Sequence, residues 1–365
     1  MRAALQSEIG QDKLEVVEDM EAVGFGPGKV KIRIRATGLC HSDLSAMSGV
    51  LPQPAPFIPG HEGSGEIVDV GDGVTTHRIG DRVLVCWLPP CGHCPACKRG
   101  QGHLCLEAFG NVATPNFRRT GTGTDVFGFA GTGTFAEEMV VPAACAVPIP
   151  DDLPYDIAAL IGCGVTTGLG AAINTAQVET GSCVAVIGCG GVGISVIQGA
   201  KVRGAAQIIA VDPVASRREA ALRFGATEAV APEAFADAKN RITAGEGFDY
   251  VFEVVGKSAT TQTAYEMTRR GGSVVVVGAG ALDDNYSINM FSLFFDEKKI
   301  LPSMYGGRRR TALLRAHHRP VAGRPGGPGG PDHPPGAPRR DQRRPRPDAY
   351  GRRPAHLHRT LRGIR

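Results

Sequence analysis

The sequence predicts an α/β protein with a mostly-β first part and, behind it, a doubly wound parallel sheet. Three observations predict it. Short apolar runs at 184–187, 207–211, 249–254 and 273–277 alternate with helical patterns such as 214–224 and 259–269, the order that builds a parallel sheet covered by helices. Residues 29–85 instead carry strand-like runs punctuated by glycines and prolines. With 365 residues the chain is too long for one typical domain and suits two.

The first strong strand is 29–36, where apolar and basic residues alternate with the period of two of a half-buried strand. It delivers the chain to Gly38-Leu39-Cys40-His41-Ser42-Asp43. A proline-rich turn (Pro52, Pro54, Pro56, Pro59) leads into 60–74, an apolar strand interrupted by glycines, and 80–85 is a further turn and strand. Cys91, Cys94 and Cys97 then follow as C-x2-C-x2-C, with Cys105 after seven more residues. Four thiolates so spaced can converge tetrahedrally on one Zn²⁺ and leave no position for water, which describes a structural site. Residues 106–134 read as a long polar loop rich in Gly and Thr. An apolar strand pattern returns over 135–147, and 151–172 reads as helix, glycine-rich break at Ile161-Gly162-Cys163-Gly164, helix.

The second part is organised around Cys183-Val184-Ala185-Val186-Ile187-Gly188-Cys189-Gly190-Gly191-Val192-Gly193. Residues 184–187 read as a buried parallel strand. Gly188, Gly190 and Gly193 supply the G-x-G-x-x-G turn that lets backbone N–H groups approach a pyrophosphate at the next helix N-terminus. A helix over 194–202 and a strand over 207–211 complete the unit, and the strand ends at Asp212, nineteen residues after Gly193. A carboxylate there accepts both ribose hydroxyls of an adenosine and repels a 2′-phosphate, so the expected cofactor is NAD rather than NADP.

Composition sets bounds. With 42% hydrophobic and 21% charged residues the chain is ordinary for a soluble globular protein. Its first residues lack the basic-then-apolar layout of a signal peptide, and no run approaches the roughly 20 uninterrupted apolar residues of a membrane span, so a cytoplasmic protein is expected. In that compartment ten cysteines are better explained by metal than by disulfides. The net charge of +4 conceals a split: 308–365 hold 16 Arg, no Lys and 3 Asp, a local +13, which leaves −9 on 1–307.

Cys40, His61 and Cys163 are spread over 124 positions, and no local spacing rule joins them. Residues 60–74 carry G-H-E-x2-G-x5-G-x2-V at every specified position. With the four-cysteine run, the Gly188, Gly190 and Gly193 turn and Asp212, this resembles the zinc-containing alcohol dehydrogenases of the medium-chain dehydrogenase/reductase superfamily, over about residues 1–307. The resemblance implies a GroES-like mostly-β catalytic domain at 1–163, with a structural zinc lobe at 91–105, and a Rossmann NAD-binding domain at 164–307. It further implies that Cys40, His61 and Cys163 are the protein ligands of a catalytic zinc, giving two zinc ions per chain. Such an ion would be Lewis-acidic enough to stabilise an alkoxide near neutral pH.

Other roles follow from the same resemblance. Asp43 would orient His61, Glu62 would sit behind the metal, and Ser42 would pass the alcohol proton onward. Many animal members end that relay with a histidine three residues later, where this chain has Ser45. His41 would meet the cofactor pyrophosphate, Thr167 the nicotinamide and Arg217 the adenosine ribose. Trp87 and Phe129 would line the substrate pocket, and Cys86, Cys145, Cys183 and Cys189 remain as packing residues. The 106–134 segment resembles the insertion of dimeric members, and 299–305 falls where the family pairs edge strands, so a homodimer is expected.

The resemblance stops after Tyr305-Gly306-Gly307. The following 58 residues hold 10 Pro and 8 Gly besides the 16 Arg, a composition that cannot bury a core and is expected to be disordered. Arg, Pro, Gly and His without any Lys is what a GC-rich gene yields when read out of frame, so a frameshift near codon 307 is the favoured origin. An arginine-rich arm for nucleic acid is the rival. Three functions stand side by side: an NAD- and zinc-dependent alcohol dehydrogenase acting on a small alcohol or aldehyde, a thiol-adduct formaldehyde dehydrogenase of the same superfamily, and an inactive metal- and nucleotide-binding protein with a basic tail.

Overall fold

The structure, a computed structural model, describes residues 1–307; the 308–365 segment, and with it both readings of that tail, lies outside the described residues. The first part is built on a five-stranded antiparallel sheet. In chain order its strands are β1 (Lys29–Thr37), β2 (Gly63–Val70), β3 (Arg82–Val85), β4 (Glu138–Pro142) and β5 (Ala146–Pro148), arranged β4-β1-β2-β3-β5. The alternation read in β1 is realised. Val30 and Ile32 are fully buried in a core with Ile67, Val83, Val85, Met139 and Val141, while Arg33 reaches outward to Glu138 and Arg35 to Glu66.

The 106–134 segment is not a loop throughout. It holds a helix at Leu106–Gly110 and strands at Phe117–Arg119 and Asp125–Gly128, which pair with each other, with Met20–Ala22 and with Phe57–Ile58. Phe117 and Val126 are fully buried and anchor these short strands, so two apolar side chains outweigh the polar composition around them. The 135–147 pattern is two strands, β4 and β5, separated by a turn at Ala143–Cys145.

A second correction concerns the glycines at 161–164. Helix Tyr155–Thr175 runs through them without a break. Two wide π-type turns, Ile161–Val165 and Ala171–Thr175, absorb the irregularity. By length and mean hydropathy this helix could cross a membrane, although Asp156, Thr166, Thr167 and Asn174 interrupt its apolar run. Of its most apolar 18 residues, however, 78% are buried inside the protein, as in the core helix of a folded domain.

The second part is a six-stranded parallel sheet: β6 (Cys183–Ile187), β7 (Gln207–Val211), β8 (Glu228–Val230), β9 (Phe248–Glu253), β10 (Thr268–Val276) and β11 (Lys299–Pro302), in the order β8-β7-β6-β9-β10-β11. The order reverses between β6 and β9, which opens a crevice at the strands' C-terminal ends. Helices Gly191–Val202, Ala215–Phe224 and Ser258–Met267 cover it, close to the expected positions. Val184 and Val186 face one apolar layer, and Ala185 and Ile187 the other. The apolar strand expected over 299–305 ends at Pro302, and Tyr305 turns inward instead.

Phe248 is fully buried and stacks on Phe235 with centroids 5.6 Å apart. Phe248→Ala is expected to cost about 3–5 kcal/mol in urea unfolding; a loss below about 1 kcal/mol would show that this layer is not close-packed.

Candidate metal centres and cofactor cleft

The strand β1 ends at Thr37, and Cys40 then caps the short helix His41–Met47. The Asp43 carboxylate in its first turn is fully buried and accepts the backbone N–H of Cys40 at 2.9 Å through Oδ2. Through Oδ1 it accepts the Gly60 N–H at 2.9 Å and Nδ1 of His61 at 3.1 Å. One carboxylate thus joins two segments of the first part and holds the His61 ring, leaving Nε2 to face the Cys40 thiol. Cys163 arrives from the wide turn of helix Tyr155–Thr175, and the donor atoms of Cys40, His61 and Cys163 lie within 4.8 Å of one another. Glu62 closes the group from behind, its buried Oε1 accepting the Gly164 N–H at 2.9 Å.

Charge is coupled across this set. Hydrogen bonding from Cys163 draws the Cys40 thiol down to about 4, against burial and with help from His61. Burial alone would depress His61, but Asp43 and Cys40 outweigh it and push the imidazole up to about 10. Burial, then the Cys40 thiolate, lifts Glu62 to about 7, and Cys163 is raised well above the thiol range by Cys40 and by burial. A buried pocket that favours one thiolate and crowds further negative charge is suited to a divalent cation. Two thiols and an imidazole nitrogen are a zinc donor set with one tetrahedral position open.

Cys91, Cys94, Cys97 and Cys105 form the second set, likewise within 4.8 Å. The Sγ atoms of Cys91 and Cys97 are 3.9 Å apart, as are those of Cys94 and Cys105. That separation is about the 3.8 Å expected of two thiolates on a tetrahedral zinc with Zn–S near 2.3 Å, and far from the ~2.05 Å of a disulfide. Backbone N–H groups of Cys91, Cys94 and Cys97 point at sulfur atoms of the set, at 3.3–3.5 Å. For Cys105 such bonds, from Cys91 and Ala108, overcome burial and bring the thiol to about 7.

The two aromatic residues expected to line a pocket, Trp87 and Phe129, stand against His61. Its ring meets Phe129 edge-on at 5.1 Å and Trp87 at 6.2 Å. Phe129 is held there because the Gly60 carbonyl accepts from Gly133 N, Thr134 N and Thr132 Oγ1, which ties the turn after Phe129 to the residue before His61. Ser42 Oγ is 3.7 Å from Cys40 Sγ. Thr167, expected near a nicotinamide, stands one turn after Cys163 and its hydroxyl hydrogen-bonds that thiol.

On the cofactor side, Gly188 has φ +93°, and a Cβ on Gly193 would collide with the Gly188 carbonyl, so the turn requires glycine at both positions. Gly190 and Gly191 face open space at the start of helix Gly191–Val202. Asp212 is buried and accepts Cys189 N and Val214 N, each at 2.9 Å, which locks the glycine turn to the end of β7. Arg217 Nη1 lies 3.8 Å from the same carboxylate. A cleft of about 620 Å³ runs between the two parts, with His41, Leu44 and Ser45 on one wall and Val255, Gly256 and Lys257 on the other. Lys257 and Tyr305 were not singled out from sequence; neither belongs to a motif, and only the fold brings them to the cleft and the pocket.

Residues 26–151 match the alcohol dehydrogenase GroES-like domain and residues 191–317 the zinc-binding dehydrogenase domain. Those matches define a zinc-binding dehydrogenase. The chain is 38% identical to alcohol dehydrogenase class-3 of Drosophila melanogaster over 76% of each sequence. Among solved structures it is similar to an alcohol dehydrogenase zinc-binding domain protein from Burkholderia ambifaria (TM-score 0.80, 32% identity, 86% of each chain covered). It is also similar to benzyl alcohol dehydrogenase from Acinetobacter calcoaceticus (TM-score 0.77, 30% identity, 86% of this chain and 87% of that one). The chain belongs to the zinc-containing alcohol dehydrogenases of the medium-chain dehydrogenase/reductase superfamily.

The donor sets are separable by substitution. Cys40→Ala should abolish zinc binding at the three-residue set while the four-cysteine set keeps its zinc, and Cys94→Ala should do the reverse. Metal analysis of the dialysed variants reads this directly; unchanged zinc content in Cys40→Ala would remove that residue from the ligand set.

Proposed function

We propose that this chain oxidises an alcohol reversibly to its aldehyde or ketone, transferring hydride to NAD. The meeting of Cys40, His61 and Cys163 beside a cleft at the C-terminal ends of a parallel sheet is the observation that carries the reading. Those three residues would hold a catalytic zinc and the four cysteines a structural one. When bound, zinc supplies Lewis acidity that favours loss of the alcohol proton, and the nicotinamide supplies the hydride acceptor. Asp43 keeps His61 in one tautomer and orientation. Ser42, beside Cys40, is placed to accept the proton of the alcohol hydroxyl. Trp87 and Phe129 wall the pocket with apolar surface, which excludes water and favours an alcohol with an apolar or aromatic body. The likeness to benzyl alcohol dehydrogenase makes benzyl alcohol the first substrate to assay.

Asp212 supports NAD over NADP, because its buried carboxylate stands at the end of β7 where a 2′-phosphate would meet like charge. Asp212→Asn keeps an acceptor but removes the charge. In an NADH-absorbance assay it should lower the kcat/KM preference for NAD over NADP about tenfold or more; an unchanged ratio would mean that another group selects the cofactor.

A homodimer is part of the same reading. Among the described residues β11 is one of the two edges of the six-stranded sheet. Just before it, helix Met290–Asp296 leaves Met290, Phe291, Phe294 and Phe295 exposed at 73%, 71%, 74% and 50%. An unpaired edge beside an apolar patch is the surface that a twofold-related copy would cover. Phe291→Glu with Phe294→Glu should convert dimer to monomer in light scattering; a wild-type chain that is already monomeric would refute the assembly.

A further inference from the structure

We propose that Tyr305 is a positioning residue for the metal-ligand turn and for the pocket wall, carried across from the cofactor-binding sheet. The inference rests on the reading of Cys40, His61 and Cys163 as the catalytic zinc set. After β11 ends at Pro302 the chain folds back onto helix Tyr155–Thr175. Ser303 N–H donates to the Val276 carbonyl at 2.8 Å, Ser303 Oγ lies 2.9 Å from Thr175 Oγ1, and Asn174 Nδ2 donates to the Gly306 carbonyl at 3.0 Å. Gly306 lies against Gly170 with no room for a Cβ on either. These contacts hold Tyr305 at φ +49°, a left-handed conformation that a tyrosine rarely adopts, with the side chain 3% exposed.

Both ends of that side chain have work at the candidate site. The hydroxyl donates to the carbonyl of Gly162, the residue directly before Cys163. In the wide turn Ile161–Val165 the amides no longer fall under their usual carbonyls, and side-chain hydroxyls take up the slack. Thr166 Oγ1 donates to the Ile161 carbonyl at 2.6 Å, and Tyr305 takes the next carbonyl along. The turn that presents Cys163 is therefore braced by one hydroxyl from its own helix and one from the other part of the molecule. The ring of Tyr305 packs on Trp87 with centroids 4.7 Å apart, and Trp87 in turn meets His61. The indole N–H of Trp87 is buried without a hydrogen-bond partner among the described residues, so packing, including that of the Tyr305 ring, sets its orientation.

Trp87 is the single tryptophan of the chain, so its fluorescence reports on the contact without any activity assay. Tyr305→Phe removes the hydroxyl and keeps the ring; Tyr305→Leu removes the ring. In the full chain, Tyr305→Phe should release its chelator-exchangeable zinc about tenfold faster than the parent, with the second zinc retained and Trp87 emission unchanged. Tyr305→Leu should shift Trp87 emission to the red and raise its quenching by acrylamide, and should raise KM for benzyl alcohol while KM for NAD stays constant. Parent-like zinc release from Tyr305→Phe, equal acceleration at both zinc sites, or unaltered Trp87 emission in Tyr305→Leu would each overturn the role of Tyr305. A parent chain without any zinc that depends on Cys40 would overturn the reading beneath it.

Discussion

The buried carboxylate of Asp43 is the constraint on which the rest of the site depends. A carboxylate removed from water is costly unless its oxygens are filled with hydrogen-bond donors, and here the donors are the Cys40 and Gly60 amides and the His61 ring. The backbone before the helix His41–Met47 and the backbone before His61 are consequently fixed to the same pair of oxygens. The three donors cannot move apart without stranding a charge, so the spacing between Cys40 and His61 is set before any metal arrives.

The same device recurs on the cofactor side. Asp212 takes two amides and thereby seats the glycine turn against β7. Glu253, fully buried at the end of β9, takes the amides of Val255 and Gly256 and the hydroxyl of Thr260, which shapes the cleft wall from which Lys257 projects. Glu62 takes the amide of Gly164 and links the His61 segment to the Cys163 helix. Asp43, Asp212 and Glu253, each satisfied chiefly by backbone N–H groups, turn three loops into fixed geometry, while Glu62 ties a strand end to a helix. Loops are otherwise the most mobile parts of a chain, and a binding site needs its groups held to within about 0.5 Å.

What the sequence makes legible is whatever is local. The four cysteines and the glycine turn each lie within one short stretch, so spacing alone conveys their geometry. Cys40, His61 and Cys163 meet only because β1, β2 and a core helix are packed together, and their partnership was legible through resemblance rather than through spacing. The 106–134 segment misled for a related reason. Its strands are three and four residues long, too short for a periodic pattern to rise above the surrounding Gly and Thr, and their stability comes from Phe117 and Val126 reaching a core formed by distant residues. Tyr305 is the extreme case: an isolated tyrosine in a glycine turn carries no signal until the fold sets it against Trp87 and Gly162.

The glycines of helix Tyr155–Thr175 show how a local rule is inverted by packing. Glycine lowers helix propensity by about 1 kcal/mol relative to alanine, and a cluster of glycines therefore reads as a break. In this helix each of three glycines marks a close approach instead. A Cβ on Gly162 would run into the Val85 carbonyl at the end of β3, one on Gly168 into Val192 and Ser195 of the helix that follows the glycine turn, and one on Gly170 into Gly306. The first contact belongs to the metal-binding part and the other two to the cofactor-binding part. The helix is therefore the shared axle of the molecule, and its missing side chains are what allow both parts to press against it. Because Cys163 rides on that helix, the separation between the ligand set and the glycine turn is a property of backbone packing, which changes little when surface side chains are exchanged.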